Sequence, residues 1–345
     1  MTHRIALIPG DGIGREVLPA ARLVLERAAS MEFEEFPWGT EFFLAHGRMM
    51  PADALDQLRR FDAILLGAVG DPRLPDNATL NGLLLPIRRG FDQYACVRPA
   101  FYYPGTRSPL ARPKPGEIDF IVVRENTEGQ YAQIGGHLYE KMAAEVAVQT
   151  AVFTRHGTER VIRFAFELAR TRPRRLLTSV TKSNAQGFSM VFWDRVFREV
   201  AGEFPDVSTE SLLVDAACMD LVRRPEHFDV IVASNLFGDI LTDLAAMITG
   251  SLGLAPSANL NPEKRFPSMF EPVHGSAPDI AGRGVANPLA AILSAAMMLD
   301  FLGGDGGRIR KAVHRVLEEG RALTPDLGGQ ASTQQCAGAV LEKLS

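Results

Sequence analysis

Two aspartates four residues apart, Asp239 and Asp243, stand in the segment Asn235-Leu-Phe-Gly-Asp-Ile-Leu-Thr-Asp. The apolar run Phe228-Asp-Val-Ile-Val-Ala before them reads as a buried parallel strand, and the segment itself has helical spacing. Residues i and i+4 share one helix face, so both carboxylates point the same way. Beyond the C-terminal end of a strand, where open α/β sheets bind ligands, such a pair suits a hard divalent cation, Mg²⁺ or Mn²⁺. The competing reading is a solvated face with two acids near a helix N-terminus, which the macrodipole favours in any case.

Other groups admit similar pairs of readings. Arg88, Arg98 and Arg124 could grip a substrate with two carboxylates through bidentate forks, or be scattered surface ion pairs. Tyr131 and Lys182 make an acid and base pair if both face one cleft. A lysine beside arginines or a cation gives up its proton more readily. In Glu271-Pro-Val-His-Gly-Ser-Ala-Pro-Asp-Ile280, the small residues around His274 and Gly275 let backbone N–H groups approach a phosphate. Asp279 can accept from both hydroxyls of a ribose and would repel a 2′-phosphate, favouring NAD over NADP. The glycines of Pro9-Gly-Asp-Gly-Ile-Gly14 do not follow the G-x-G-x-x-G spacing, so a tight strand-to-helix turn explains them more simply.

These groups need elements to position them. Apolar runs alternate with helical patterns, the mark of a parallel sheet with crossover helices. Strands are expected at Ile5–Ile8, Ala63–Val69, Phe120–Val123, Leu176–Thr181 and Ser211–Val214, with an amphipathic helix over Arg15–Ser30. Charged residues recur where strands finish: Arg124, Lys182, Asp215 and Asp239. On one side of a sheet they would converge on a cleft. With 345 residues there is room for two domains. The Pro/Gly-rich stretch from Pro99 to Gly116 and a second near Gly250 to Pro256 are candidate crossings. They give a discontinuous domain, 1–98 plus 252–345, around a central one, 99–251.

Composition excludes several classes. A net charge of -4 leaves no footprint for nucleic acid or an anionic membrane. The apolar stretch Leu289–Leu299 is shorter than the ~20 residues a span needs and reads as a buried helix. The N-terminus carries no signal-peptide pattern. Cys96, Cys218 and Cys336 lie far apart without metal-ligand spacing, which fits a reducing cytoplasm.

Five ordered motifs carry a resemblance that runs nearly end to end. They are Pro9-Gly-Asp-Gly-Ile-Gly, Val123-Arg-Glu-Asn-Thr-Glu-Gly-Gln-Tyr131, Thr181-Lys-Ser-Asn, Ser234-Asn-Leu-Phe-Gly-Asp-Ile-Leu-Thr-Asp and Glu271-Pro-Val-His-Gly-Ser-Ala-Pro-Asp-Ile. The chain resembles the β-hydroxyacid oxidative decarboxylases of the isocitrate/isopropylmalate dehydrogenase family. Its motifs look most like the branch of tartrate and D-malate dehydrogenases (decarboxylating). The segment Ile280–Phe301 is also similar to homoisocitrate dehydrogenases.

The resemblance implies an α/β fold of two domains, with mixed sheets flanked by helices and the active site in the interdomain cleft. It implies that Arg88, Arg98 and Arg124 grip the malate moiety and that Asp239 and Asp243 bind the metal. Asp215 would come from the second subunit of a homodimer with shared active sites, and Lys182 would reach across the same interface. Ile13, His274, Gly275, Ser276, Ala277, Asp279, Ile280 and Asn287 match positions around NAD. In the implied reaction Lys182 takes the hydroxyl proton, hydride leaves C2, CO₂ departs, and Tyr131 protonates C3.

Substrate choice is implied to rest just before Arg88, where Asn81, Leu84 and Leu85 share a face with it at i, i+3, i+4 and i+7 if the segment is helical. Leu84 and Leu85 argue against isocitrate. Asn81 departs from the glutamate of isopropylmalate dehydrogenases. Pro86 predicts a helix starting near Leu85, with Asn81 left in a loop. The expectation is an oxidative decarboxylase of D-malate or tartrate. Open alternatives are a 3-alkylmalate or homoisocitrate enzyme, a non-catalytic regulatory subunit, and a metal-dependent hydrolase that would leave the His274–Asp279 loop without a role.

Overall fold

The computed structural model describes residues 2–344. Its strands are β1 (His3–Gly10), β2 (Met31–Glu35), β3 (Ala63–Ala68), β4 (Ala95–Phe101), β5 (Asp119–Glu125), β6 (Gly135–Leu138), β7 (Val146–Gln149), β8 (Leu176–Thr181), β9 (Ser208–Leu213), β10 (Val230–Ala233), β11 (Pro256–Leu260) and β12 (Ser268–Pro272). Ten form one sheet in the order β2-β1-β3-β12-β11-β4-β5-β10-β8-β9, while β6 and β7 pair only with each other. The two wings, β2-β1-β3-β12 and β5-β10-β8-β9, are parallel. Between them the successive pairs β12–β11, β11–β4 and β4–β5 are antiparallel.

Parallel strands covered on both faces read as continuous apolar runs, and β3 and β10 are buried along their whole length. The first wing carries an apolar core on each face. One of them wraps the helix Leu289–Phe301, which is apolar all round and therefore buried on almost every side. The second wing has its own core around Trp193, Phe166 and Phe228. The Pro/Gly-rich stretch begins inside the sheet, because Pro99 and Phe101 still lie in register opposite Ile121 and Asp119. No helix among the described residues is long and apolar enough to cross a membrane.

One local expectation needs correcting. The chain is already helical from Asp76, passes through a π-helical turn at Leu80–Leu84, and continues as α-helix to Gly90. Asn81 is therefore in a helix rather than a loop. The i→i+5 turn also rotates the face that an unbroken α-helix would present. Leu80, Leu84 and Arg88 become the aligned set, Asn81 is turned out to solvent, and Leu85 is buried elsewhere.

Candidate active site

All four strands of the second wing are parallel, so their C-terminal ends lie on one edge of the sheet. Arg124 is the penultimate residue of β5, and β4 runs antiparallel with Cys96 opposite Arg124 and Arg98 opposite Val122. Side chains two apart on a strand share a face, so Arg98 and Arg124 project to the same side. β10 ends at Ala233 and the helix Asn235–Ile248 begins almost at once. Asn235, Asp239 and Asp243 follow at successive four-residue steps. Gly238 lets this helix lie directly on Arg124, since a Cβ there would meet the arginine side chain at 2.6 Å.

The side chains then interlock. Asn235 Oδ1 accepts from Arg124 Nε at 3.0 Å and from Nη2 at 2.7 Å. Asp239 Oδ1 accepts from Arg124 Nη1 and, at 3.2 Å, from Arg98 Nη1. The Tyr131 hydroxyl donates to Asp239 Oδ2 at 2.7 Å, with the Arg124 guanidinium 5.2 Å from the ring centroid. Arg88 donates to Glu271 at 2.7 Å, and Asn259 donates to the same carboxylate oxygen at 2.8 Å. Burial of Arg88 and Glu271 makes that pair a rigid support rather than a surface contact. Arg88 Nε is buried without a partner, a donor left over for a ligand.

Electrostatics follow from this packing. Burial works to raise the Asp239 carboxyl, but the Arg124 and Arg98 guanidinium groups outweigh it and hold the group below its ordinary range. Asp243 is pushed up by desolvation and then by the charge of Asp239, although its side chain reaches solvent. Burial, followed by the hydrogen bond to Asp239, raises Tyr131, which keeps its proton at neutral pH and can act as an acid.

A cleft of about 170 Å³ joins these groups to the loop after β12. Arg88, Arg98, Arg124, Tyr131 and Asp239 line it on one side, Leu80 and Leu84 on another, and Val273, His274 and Gly275 on a third. That loop is locked to the turn after β1. Ile13 N donates to the Ser276 carbonyl at 2.8 Å, and a Cβ on Gly12 (φ +52) would meet the same oxygen at 2.1 Å. Farther along, Glu16 accepts from the N–H groups of Gly282 and Gly284 at 2.6 and 2.9 Å. His274 Nδ1 lies 2.9 Å from the Gly275 carbonyl while its Nε2 is buried without a partner. Ala277 holds a positive φ of 41°, Ile280 N closes the turn onto the Ala277 carbonyl at 3.1 Å, and Asp279 is exposed. Asn287 donates to Asp326 at 2.9 Å and accepts from Leu289 N, securing the next helix.

Lys182 and Asp215 are apart from this cleft. Lys182 Nζ donates to Asp215 Oδ1 at 2.6 Å, and the lysine holds that exposed carboxyl below its ordinary range. Among the described residues no three His, Cys, Asp or Glu side chains converge to hold an ion. One chain therefore presents Asp239 with Asp243 at one place and Lys182 with Asp215 at another. Glu271 and Asn235 escaped the sequence reading as site residues. The repeat 235/239/243 was a signal for Asn235, whereas Glu271 needs the β11–β12 pairing to be seen.

A model of the isocitrate/isopropylmalate dehydrogenase family matches residues 4–340. The chain belongs to that family. It is 52% identical to the D-malate dehydrogenase [decarboxylating] of Escherichia coli (strain K12), over 98% of either chain. It is 49% identical to the tartrate dehydrogenase/decarboxylase of Pseudomonas putida, covering 100% of this chain and 98% of that one. Among solved structures, isocitrate dehydrogenase from Methylococcus capsulatus superposes with a TM-score of 0.91 at 38% identity, over 99% of both chains. The fold is that of the isocitrate dehydrogenases, and the full-length relatives named above are decarboxylating dehydrogenases, which supports oxidative decarboxylation of a hydroxy acid.

Proposed function

We propose that the chain is an NAD-dependent, divalent-metal-dependent oxidative decarboxylase of a malate-type 2-hydroxy acid, D-malate or tartrate first. The carrying observation is the single small cleft in which three buried arginines, Asp239 and Tyr131 meet the His274–Gly275 loop. Three guanidinium groups match a dianionic acid. The orphaned Arg88 Nε and His274 Nε2 are donors or acceptors waiting for ligand atoms.

The residues present fit both absent groups. Oxygen ligands on one helix face suit Mg²⁺ or Mn²⁺ at Asp239 and Asp243, and a second copy of the chain supplies Asp215. A divalent cation held by these carboxylates would supply Lewis-acid polarisation of the acid's C2 oxygen. Apolar side chains support the pairing: Met219 and Val222 on the helix Val214–Arg223, and Ile240 and Met247 on Asn235–Ile248, are all at least half exposed. The exposed β6–β7 hairpin, with Leu138, Val146 and Val148 facing solvent, is a further contact. We assign 1–98 with 252–345 to NAD and 99–251 to the metal and the dimer.

In the reaction Arg88, Arg98 and Arg124 hold and orient the acid's carboxylates. The partner's Lys182 takes the hydroxyl proton, and bound NAD would accept the hydride that leaves C2. Once CO₂ departs, the protonated Tyr131 delivers a proton to C3. Ile13, His274, Gly275, Ser276, Ala277, Asp279, Ile280 and Asn287 surround NAD, with Asp279 on the adenosine ribose. The Leu80–Leu84 wall favours a second reading, a 3-alkylmalate such as 3-isopropylmalate.

A panel of D-malate, tartrate, 3-isopropylmalate, isocitrate and homoisocitrate with NAD and Mn²⁺ tests both readings. D-malate or tartrate is expected to give the highest kcat/KM, and EDTA to stop turnover. Turnover unaffected by EDTA contradicts the metal assignment. Asp279→Ala is expected to raise KM for NAD by about tenfold or more, the scale of a lost charge-assisted hydrogen bond, with little change in KM for the acid. Equal effects on both would sink the ribose assignment.

A further inference from the structure

A second cavity is larger than the substrate cleft. It measures about 920 Å³ and lies on the opposite face of the central strands. Pro99 and Phe101 of β4 and Asp119 and Ile121 of β5, in register with one another, form its floor. Arg98 and Arg124, one residue out of phase on the same strands, face the substrate cleft instead. The helices Leu289–Phe301 and Gly306–Glu319 and the residues Thr171 and Arg172 close the sides.

Its chemistry is specific. Phe101 and Tyr103 meet edge to face with centroids 4.7 Å apart, and the His314 ring lies 6.5 and 6.2 Å from them. Tyr103 is nine-tenths buried, yet its hydroxyl has no hydrogen-bond partner among the described residues. Burial pushes that hydroxyl up to about 12, so it remains a donor. Of the lining charges, Asp119 is held by Arg172 and Asp300 by Arg310. Among the described residues Lys311, Arg315 and Glu318 make no ion pair, although Arg315 also feels the neighbouring Glu319 carboxylate, which Lys343 holds. Lys311, His314, Arg315 and Glu318 fall at i, i+3, i+4 and i+7 of one helix, so they share a face.

We propose that this rear cavity binds a small planar aromatic carboxylate, its ring against Tyr103, Phe101 and His314 and its carboxylate toward the Tyr103 hydroxyl, Lys311 and Arg315. The cavity size is that of small-molecule sites, and an apolar wall with a few convergent polar groups is their usual composition. The ligand contacts strands whose other face carries Arg98 and Arg124, so it binds alongside the hydroxy acid rather than in its place.

Calorimetric titration of the full-length protein with 2-naphthoate tests this. Saturable binding with Kd below about 1 mM is expected, unaffected by D-malate with Mn²⁺. The neutral naphthalene-2-carboxamide is expected to bind at least about fivefold more weakly, and Lys311→Gln/Arg315→Gln to weaken naphthoate by a similar factor. Tyr103→Phe, which keeps the ring and removes only the hydroxyl, is expected to weaken it as well. No saturation, displacement by D-malate, or equal affinity for the amide and for the variants overturns the proposal.

Discussion

Lys182→Ala is expected to lower kcat for NAD reduction with D-malate or tartrate by about 10³-fold, within the range a positioned general base contributes. Binding of NAD, followed by quenching of protein fluorescence, is expected to survive. The expectation rests on the isolation of the lysine within its own chain. Its Nζ touches Asp215 and lies outside the cleft that holds Tyr131 and the arginines. The titratable groups of the cleft itself are three guanidinium groups, a protonated phenol, the Asp239 and Glu271 carboxylates already bound to arginines, and His274 on the loop after β12. Lys182→Arg is not expected to rescue, because a guanidinium does not release its proton at working pH. A kcat within tenfold of the parent would remove Lys182 from the reaction.

Asp239→Ala has the second large effect. The parent carboxylate collects Arg124, Arg98 and Tyr131 at once, so the substitution removes the proposed metal ligand and also frees two guanidinium groups in the cleft. Half-activation by Mn²⁺ is expected to need concentrations raised beyond the ~10–100-fold that loss of an outer-sphere partner costs. Asp239→Asn separates the two roles, since the amide oxygen still accepts from the arginines but carries no charge for a cation. Asp239→Asn is therefore expected to keep the acid's KM closer to the parent than Asp239→Ala does, while losing the Mn²⁺ response equally. An unchanged Mn²⁺ response in both variants would contradict the ligand role.

The parts of the fold legible in the sequence were those in which burial writes itself as an apolar run. The parallel strands β1, β3, β5, β8 and β10 are covered on both faces, and each ends near a glycine turn or a charged residue. The helix carrying Asp239 and Asp243 was legible for the same reason, because a short apolar strand feeds it directly. The antiparallel centre was not. β4, β11 and β12 carry Arg98, Asn259 and Glu271, buried polar residues that satisfy one another or the cleft and so break the apolar pattern. β2 is an edge strand of alternating acids and apolar residues and is largely exposed. The π turn at Leu80–Leu84 leaves no mark in the spacing, and it places Leu80 rather than Asn81 beside Leu84 in the cleft. The Glu271–Arg88 support joins residues far apart in the chain, so only tertiary structure exposes it.

The central claim is that each active site is built from two chains, with the metal held between Asp239 and Asp243 of one and Asp215 of the other. Mixing separately inactive Asp215→Ala and Asp239→Ala proteins, after dissociation and reassociation, tests it most directly. Mixed dimers would hold one site with both substitutions and one with neither, so activity is expected to return to roughly a quarter of the parent level for a two-fold dimer. If all three aspartates served within a single chain, every site in the mixture would remain damaged and no activity would return.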